Sequence, residues 1–408
     1  MHATLFQSAL GITDPWFVKD VDFDVKGKVL TIQIDFARGS RFSVDQSAAE
    51  YPVHDTVTKR YRHLNFFQHE CYLEVRVPRV KLPDGGVKQV EPPWAGKLNG
   101  FTLLFEALVI SLCREMPFNA VSELVGLSWY KVNAICVKYV DLALAQADFS
   151  EVKRLAVDET SRARGHNYVT LVADASERRV LFVTEGRGAD TLDAFVEDFK
   201  AHGGDPMAIE TTSIDMSPAY IKGVETNLPN ATITFDKFHV IAHASKALDK
   251  TRRIEQRSDT SLKGLRWSLL KDFDSLKPQA QSSVAAVLAQ VATKRTARAW
   301  AYREQLREIL EYKQINVMRA TLWQWTVNVM RSKVEPMKEV AKMIRSHLEG
   351  IVAWARTRQT NGFLEAINGL FQAAKRKARG YGKFTTIRAV IFLLAGKLNF
   401  ARVNPFAS

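Results

Sequence analysis

The chain has 408 residues, of which 46% are hydrophobic and 25% are charged. This length and composition allow large cores in two to four domains and exclude a disordered protein. The three cysteines form no CxxC pair, so neither a disulfide framework nor a thiolate metal site is indicated, and a reducing cytoplasm fits them. Apolar runs fall far short of the ~20 residues of a membrane span. The amino terminus lacks a basic secretion signal, so we expect a soluble protein that is not exported.

The net charge of +13 is distributed unevenly along the chain. Residues 1–245 contain 26 Lys and Arg against 32 Asp and Glu, whereas residues 246–408 contain 31 against 12. The basic part predicts an anionic partner, most commonly nucleic acid, although a merely solvated surface has the same composition. Arginines and tryptophans interleave there, which suits stacking beside phosphate contacts or, at helical spacing, packing in a core. These residues are Arg266, Trp267, Arg298, Trp300, Trp323, Trp325, Trp354 and Arg356.

Residues 1–95 predict a small β-rich domain with little core of its own. Residues 15–38 alternate with period two on both sides of Lys26-Gly27-Lys28, which is typical of a hairpin. A second β block is predicted over Tyr72–Val90, with the turn sequence LPDGG. Small domains of this kind are often held together by zinc. The histidines here, His54, His63 and His69, have no CxxC partner.

The period becomes helical from Lys97. Phe101–Glu115 predicts an apolar helix, and Pro117–Val140 fits a helix-turn-helix in which Gly126 allows the turn and Ser128 caps the second helix. Its inward positions would be Val132, Ile135 and Cys136. Its exposed face would present Tyr130, Lys131, Asn133 and Lys138 to a DNA groove. Two ordinary packed helices explain the pattern almost as well.

The stretch Arg154–Gly186 predicts a three-stranded meander, with strands at Leu155–Val157, Tyr168–Ala173 and Val180–Thr184. Asp158 directly follows the first of these strands and would lie at its rim. A carboxylate held there suits metal-dependent phosphoryl transfer. A lone Asp at the end of a strand more commonly caps the next turn.

Two further predicted strands also end on an aspartate. Thr212–Ile214 leads to Asp215, and Thr232–Phe235 leads to Asp236. With the amphipathic helix Asp190–Ala201 and a helix that Pro218 begins, the order is β-β-β-α-β-α-β, which is the order of an RNase H-like sheet. This order favours the metal-site interpretation of Asp158.

The remaining chain predicts helices. From His243 to Gly350 the pattern is helical throughout, with Pro278 and Pro336 as breaks, which indicates an all-α insertion. Helix resumes after a cap at Thr360 or Asn361, and Glu365, the only acidic residue after Glu349, lies near its start. A polar stripe follows Glu365 and suits either a solvent face or a metal ligand beside a DNA track: Asn368, Gln372, Lys375 and Arg379.

Several blocks of the sequence carry a family resemblance. They are LAVDET, SIDMSPAY, FDKFHV, ALDKTRR, LKGLRWSLLK and TNGFLEAINGLFQAAKRKARGYG. In this order they resemble the signature blocks of bacterial insertion-sequence transposases of the DDE class, in the group called ISL-three, over nearly the whole chain. The resemblance implies an α/β (α+β) multidomain fold. Its parts would be a β-rich zinc-ribbon-like domain (1–95), a helix-turn-helix domain (96–148), an RNase H-like core (149–242 and 351–408) and an all-helical insertion (243–350).

The resemblance also implies roles for individual residues. Asp158, Asp215 and Glu365 would be the catalytic triad and would bind two Mg²⁺ or Mn²⁺ ions for DNA cleavage and strand transfer. Asp236 and His239 would form an auxiliary D-x-x-H element, in which His239 orients a phosphate or water or merely caps Asp236. We therefore expect the three carboxylates to converge within metal-bridging reach, with Glu159 pointing away. Phosphate contacts would come from Arg252, Arg253, Lys375, Arg376, Lys377 and Arg379.

One departure from the family concerns zinc. Where the family has paired cysteines, this chain reads VDQS at Val44–Ser47 and LPDG at Leu82–Gly85, so we expect no structural zinc. The expected partners are the terminal inverted repeats of the element and target DNA, bound by a homodimer or higher oligomer in the bacterial cytoplasm, at the nucleoid. Two alternatives stay open. One is an RNase H-like structure-specific nuclease, and the other is a non-catalytic DNA-binding regulator derived from a transposase.

Overall fold

The computed structural model describes residues 2–44, 49–163, 167–271, 273–291, 294–378 and 380–407. The chain forms two compact units, one of Met1–Ala147 with Gln372–Ser408 and one of Asp148–Phe371. The segment after Phe371 thus groups with the amino-terminal residues, whereas the predicted boundaries placed it with the core. Its contacts explain this, since Thr386 Oγ1 donates to Asn133 Oδ1 and Asn404 Nδ2 donates to Tyr139 Oη. Across the described residues, no helix is both long and apolar enough to cross a membrane.

The first unit begins with a helix and a six-stranded sheet. The helix α1 covers His2–Ala9, and the strands are β1 (Trp16–Asp24), β2 (Val29–Phe36), β3 (Arg41–Ser43), β4 (Glu50–Phe66), β5 (His69–Lys81) and β6 (Val87–Gln89). Their order is β1-β2-β5-β4-β3, with β6 beside β5. The predicted hairpin is confirmed, because β1 and β2 pair antiparallel from Trp16 opposite Phe36 to Asp24 opposite Val29. Strand β4 was not predicted.

The expectation that residues 1–95 have little core is wrong. The alternate positions of β2 and β5 are buried and pack with Trp16, Phe36 and Phe42 in one apolar cluster. The physical reason is the length of β4 and β5, which span 17 and 13 residues and pair over most of that length. Leu82–Gly85 lies between β5 and β6, and of the stretch Val44–Ser47 only Val44 is among the described residues.

The helix-turn-helix prediction agrees with the structure. After α2 (Leu103–Glu115), helix α3 (Phe118–Val125) ends at Gly126 in the left-handed conformation, with φ of +68°, and α4 (Trp129–Leu144) follows. Val132, Ile135 and Cys136 are fully buried, as expected. Ser128 occupies the cap position but its side chain makes no capping hydrogen bond, which corrects that detail. A further helix, Phe384–Ala395, packs in this unit.

The lowered pKa of a half-buried histidine makes the first unit sensitive to acid. Burial, helped by the charge of Arg62, lowers the pKa of His63 from 6.5 to about 4, and its Nδ1 lies 2.9 Å from Thr102 Oγ1 at the start of α2. Between pH 6.5 and about 4 the unfolded chain takes up a proton that the folded chain resists. Stability should therefore fall by up to about 3 kcal/mol across this window as the pH falls.

Chemical denaturation at several pH values measures this effect. His63→Gln should flatten the pH dependence. His54→Gln, which alters an exposed histidine of the same strand, should keep the wild-type slope. Equal slopes in wild type and His63→Gln would contradict the assignment.

The second unit contains a five-stranded sheet of the predicted element order. Strands β7 (Arg154–Ala163), β8 (Asn167–Asp174) and β9 (Arg179–Glu185) form the meander, and β10 (Thr211–Ile214) and β11 (Thr232–Phe235) follow. The spatial order is β11-β10-β7-β8-β9, with β10 parallel to both β7 and β11. Helix α5 (Asp190–Ala201) packs with α6 (Pro218–Asn227). The predicted amphipathic character of α5 is confirmed, because Leu192, Phe195, Val196 and Phe199 are buried on one face.

Helices make up the rest of this unit. They are α7 (Lys237–Glu255), α8 (Arg266–Leu270), α9 (Pro278–Leu288), α10 (Arg295–Ile309), α11 (Ile315–Met330), α12 (Glu335–Ser346), α13 (Leu348–Thr357) and the part of α14 (Gly362–Lys377) that ends at Phe371. Pro278 begins α9 and Pro336 lies in the first turn of α12, so both prolines stand at helix starts. Within the described part of residues 243–350 there are helices and turns and no strand, as predicted.

Candidate functional site

Asp158 lies within a strand and not at its end. Strand β7 continues to Ala163, and Asp158 pairs with Leu171 of β8, which corrects the predicted strand end at Val157. On its other side, β7 pairs with the short strand β10 only from Arg154 to Ala156. Asp158 therefore stands just beyond the end of its parallel neighbour. Asp158 thus lies at the carboxyl end of β10, as expected, because β10 is short and not because β7 ends there.

Asp215 and Asp236 follow the ends of β10 and β11 as predicted. Asp215 is half-buried, and its Oδ1 accepts the Ser217 amide hydrogen at 2.9 Å. Asp236 is fully buried and caps α7 by accepting from the Phe238 amide at 2.9 Å. The two aspartates thus have different surroundings, and only Asp215 retains access to solvent.

Asp236 also joins the start of α14 to the sheet. Its Oδ2 accepts from the Asn361 amide at 2.6 Å, and Asn361 Nδ2 donates to the Val157 carbonyl at 3.0 Å. Because Val157 precedes Asp158, these two bonds hold the first turn of α14 beside the Asp158 segment of β7. Glu365 lies in that first turn.

The helix α14 contacts Asp158 directly. Asn368, one turn after Glu365, donates from Nδ2 to Asp158 Oδ2 at 2.8 Å. The other oxygen, Oδ1, accepts from the Glu159 amide at 2.8 Å. The Asp158 carboxylate is therefore fixed by both its strand and this helix. Glu365 itself is exposed.

The electrostatics of Asp158 show which charges are near it. Burial raises the pKa of Asp158 to about 6, and the negative charges of Asp215 and Glu365 act in the same direction. The Glu159 amide bond and the charge of His239 oppose this rise. The three predicted triad carboxylates and His239 thus share one charged environment within the second unit.

The convergence of the three triad carboxylates to metal-bridging distance stays a prediction. Among the residues that the structure describes, no three His, Cys, Asp or Glu side chains lie close enough together to hold one metal ion. Each aspartate is instead turned toward a donor of its own, Asp158 toward Asn368 and Asp215 toward Ser217.

Glu159 lies on the opposite face of β7 from Asp158, because neighbouring side chains of a strand alternate. It meets Tyr220, whose hydroxyl donates to Glu159 Oε2 at 3.4 Å, and Arg187 at 4.0 Å. Burial and the charge of Asp215 raise its pKa. Glu159 thus has hydrogen-bond partners different from those of Asp158, but it lies within the field of Asp215, so its expected direction away from the triad stays a prediction.

Three buried polar atoms near Asp158 have no hydrogen-bond partner. They are Nε2 of His239, Oδ1 of Asn361 and Oδ1 of Asn368. Such atoms are costly when unpaired, so they point to a ligand that binds there. Because Nε2 has no partner, it does not bind the Asp236 carboxylate. The contacts of Nε2 therefore do not support a role for His239 as a mere cap of Asp236.

The predicted phosphate contacts of the second unit differ between neighbours. Arg252 is buried, and its guanidinium binds Asp249 and Gln256, so it is not presented to DNA. Arg253 has a side chain that is 66% exposed. Arg252 and Arg253 follow Asp249 on α7 by three and four positions, so both side chains reach its carboxylate. Only Arg253 remains at the surface.

The predicted DNA contacts of the first unit are mostly accessible. Tyr130 is 77% exposed, and Lys131 and Lys138 are exposed on α4. Asn133 is half-buried and accepts from Thr386, so it is less available than expected. Near the end of α14, Arg376 and Lys377 are exposed and Lys375 is half-buried, with burial lowering the pKa of Lys375. Arg379 lies outside the described residues.

Sequence reasoning missed three polar residues of this region. The sequence indicates Asn361 only as a cap and Asn368 only as part of a polar stripe, and it assigns no role to Tyr220 within the block SIDMSPAY. Tyr220 is buried, and its hydroxyl lies 2.9 Å from Thr170 Oγ1 and within reach of Glu159. The signal for the two asparagines was their position on either side of Glu365, in the block TNGFLEAIN.

Comparison with known proteins identifies the family. The model of a family described as "Transposase" matches residues 155–391, and that of the "Helix-turn-helix domain of transposase family ISL3" matches residues 90–140. The transposase for insertion sequence element IS1001 of Bordetella parapertussis is 27% identical over 340 residues, covering 81% of this chain and 82% of the relative. That for IS1557 of Mycobacterium tuberculosis is 27% identical over 432 aligned positions, covering 97% and 96%.

The two family matches and the named relatives show that this mixed α/β chain with a helix-turn-helix is a DNA transposase. The chain belongs to transposase family ISL3, the ISL-three group, since the first match alone covers more than half of its residues. The resemblance noted from the sequence is thereby confirmed. Membership implies DNA binding, DNA cleavage or transfer, and the divalent metal ions that such transposases generally use.

Proposed function

We propose that this transposase binds the ends of its insertion sequence and catalyses strand cleavage and strand transfer by in-line phosphoryl transfer at a two-metal site. The observation that carries the proposal is the shared environment of Asp158, Asp215 and Glu365. These carboxylates come from β7, from the end of β10 and from α14, and the charges of the last two raise the pKa of the first. Distant segments that bring carboxylates together at a sheet edge are what metal-dependent phosphoryl transfer requires.

The donor set fits magnesium or manganese. Both ions prefer carboxylate and carbonyl oxygens, and Asp158, Asp215 and Glu365 would supply them. The unpartnered Oδ1 of Asn368 adds a carbonyl oxygen beside Asp158. Two such ions, held by these residues, would supply activation of a water or a DNA 3′-hydroxyl and stabilisation of the leaving oxygen at phosphorus.

The surrounding residues position these carboxylates. Asn368 fixes Asp158, and Asp236 acts through Asn361 to hold the Glu365 turn against β7. His239, with its buried and unpartnered Nε2, would orient a phosphate oxygen or a water. We thus assign Asp236 and His239 to the predicted auxiliary element, Asp236 as a positioning residue.

The sheet order supports an RNase H-like core. If β7 to β11 are numbered 1 to 5, the strands lie in the order 3-2-1-4-5 across the sheet. Strands 1 to 3 pair antiparallel, and strands 4 and 5 are parallel to strand 1. We propose that residues 149–242 and 351–371 form this core and that residues 243–350 are an insertion. Residues 1–95 would be a zinc-ribbon-like domain without its cysteines and 96–148 a DNA-binding domain. Residues 372–408 would be a basic carboxyl-terminal segment that packs in the first unit.

DNA contacts would divide between sequence reading and phosphate binding. Tyr130 and Lys131 on α4 would read a groove at the element ends, with Asn133 in a smaller role because it binds Thr386. Arg253, Arg376 and Lys377 would bind phosphates without sequence preference. Buried Arg252 is left out of this set. A homodimer or higher oligomer would hold both ends and the target DNA.

Element-end DNA tests the proposal. The full chain should bind a duplex of the element end more tightly than a random duplex, and it should cut the end in Mg²⁺ and join it to target DNA. Tyr130→Ala with Lys131→Ala should reduce the preference for the end, at about 1–3 kcal/mol for each lost base contact. Cleavage of random branched DNA without joining would instead identify a nuclease, and end binding without cleavage would identify a regulator.

A further inference from the structure

The tryptophans of the basic part of the chain fall into two groups. Trp325 and Trp354 are buried, and each donates its indole hydrogen to a backbone carbonyl, of Tyr302 and Leu310 respectively. Trp267 and Trp323 are 64% and 49% exposed, so Trp267 is the more exposed of the two. Packing in a core therefore explains the first two tryptophans but not Trp267. An exposed indole of this size commonly marks a binding surface.

Trp267 stands beside a buried carboxylate that gathers three arginines, a group we name the Asp249 cluster (Asp249, Arg252, Arg253 and Arg266). Arg252 donates to Asp249 Oδ1 at 2.7 and 3.0 Å. The Nε atoms of Arg253 and Arg266 lie 3.4 and 3.5 Å from Oδ2. Arg266 is stacked over the Trp267 ring, with its guanidinium carbon 4.7 Å from the ring centre.

The charge around the cluster is strongly positive. Residues 246–271 contain eight Lys or Arg and three Asp or Glu. The three acids all bind groups of the protein: Asp249 holds the arginines, Glu255 accepts the Arg295 and Thr296 amide hydrogens, and Asp259 pairs with Lys294. Seven of the eight basic side chains belong to exposed residues, Arg252 being the exception. Such a surface attracts a polyanion.

The cluster is rigidly attached to the unit. Helix α8 is short, but Leu269 is buried and its carbonyl accepts from the buried Arg303 at 2.9 Å. Trp267 precedes Leu269 by two positions, and residues at that spacing do not share a helix face. Burial of Leu269 therefore turns Trp267 outward. The exposure of Trp267 is set by the packing of α8.

We propose that Trp267 and the Asp249 cluster form a binding site for single-stranded DNA, in which Trp267 stacks on an unpaired base and Arg253 and Arg266 bind the adjoining phosphates. Every base has a flat face that stacks on an indole, whereas a base inside a duplex has both faces covered. Asp249 acts as a positioning residue that orients the guanidiniums before DNA arrives. The inference rests on the DNA-directed function proposed above and adds a preference for unpaired strands.

The first test compares single and double strands. Full-length chain is titrated into a fluorescein-labelled random strand of about 20 nucleotides and into the same strand as a duplex, and anisotropy is recorded. Trp267→Ala should weaken single-strand binding about tenfold and change duplex binding less than about twofold, whereas Trp267→Phe should keep most of the affinity. Trp323→Ala is the matched control: its ring also has an arginine nearby, Arg345, with its guanidinium carbon 4.9 Å from the ring centre. It should leave both affinities unchanged.

The second test concerns Asp249. Asp249→Asn makes the protein more positive, so simple charge attraction predicts tighter binding to DNA. If Asp249 positions the arginines, the variant should instead bind the single strand about threefold more weakly or worse. Glu308→Gln makes the same charge change at an exposed residue of α10 and should not weaken binding. Arg253→Gln changes an exposed side chain, so it tests the phosphate contact even if Asp249→Asn fails to fold.

The outcomes separate this inference from the function itself. The stacking site would be overturned if Trp267→Ala bound the single strand with wild-type affinity. It would also be overturned if this variant lost affinity equally for the single strand and the duplex. Tighter binding by Asp249→Asn would overturn the positioning role. Recognition and cleavage of element ends are measured on duplex ends with the α4 and triad variants, so they can fail or succeed independently of these results.

Discussion

Strand cleavage should fall by at least about 10³-fold in each of the variants Asp158→Asn, Asp215→Asn and Glu365→Gln. Each amide keeps the shape of the side chain but removes the negative charge that would hold a divalent ion. The measurement is the rate of cleavage of a labelled element end in Mg²⁺. Binding of the same duplex should change little, because DNA contact is assigned to other residues.

Two neighbouring acids provide controls for this experiment. Glu159→Gln removes a carboxylate adjacent to Asp158, but its contacts are with Tyr220 and Arg187 on the other face of β7, so cleavage should stay near the wild-type rate. Asp236→Asn should lower thermal stability, because both carboxylate oxygens accept backbone hydrogens. Wild-type cleavage by any one triad variant would remove that residue from the proposed site.

Replacing Glu106 by Ala should destabilise the first unit by about 3–5 kcal/mol. Glu106 is fully buried in α2, and its carboxylate accepts from the Lys97 and Leu98 amides at 2.7 and 2.8 Å and from the Tyr139 hydroxyl at 2.7 Å. The alanine variant leaves these three donors without a partner. Chemical denaturation of wild type and variant measures the loss.

Gly96 provides an independent test of the same pocket. A Cβ atom added to Gly96 would stand 2.5 Å from the Glu106 carboxyl carbon, so Gly96→Ala must displace a carboxylate that three hydrogen bonds hold. We expect a cost of about 1–3 kcal/mol. In the double variant with Glu106→Ala the two costs should be less than additive, because the clash is gone. Full additivity would show that Gly96 and Glu106 do not share this contact.

Several elements were predictable because local spacing defines them. The hairpin β1–β2, the helix α5 and the pair α3–α4 each depend on residues two to four positions apart, and each was predicted close to its bounds. Strand β4 was missed because its pattern is largely polar, with only Tyr61 and Arg62 buried. Its conformation depends on pairing with β5, which local sequence does not report.

Residues of the same type also differ in burial in the folded chain. Arg252 and Arg253 are adjacent in sequence, yet the first is buried on Asp249 and the second is exposed. Trp267 and Trp325 differ in the same way. Composition indicated a basic, tryptophan-rich half that meets nucleic acid. It could not indicate which side chains reach the surface, because burial depends on the packing of each helix.

The order of elements and the acidic residues of the candidate site could be read from the sequence, since strand periodicity and short motifs are local properties. The arrangement of that site arises from contacts between distant residues. Asp236 binds Asn361 across 125 positions, Asn361 binds Val157 across 204, and Asn368 binds Asp158 across 210. These hydrogen bonds bring Glu365 beside Asp158 and turn each aspartate toward its own donor. Sequence spacing carries no information about them, because they exist only when the sheet and α14 have packed together.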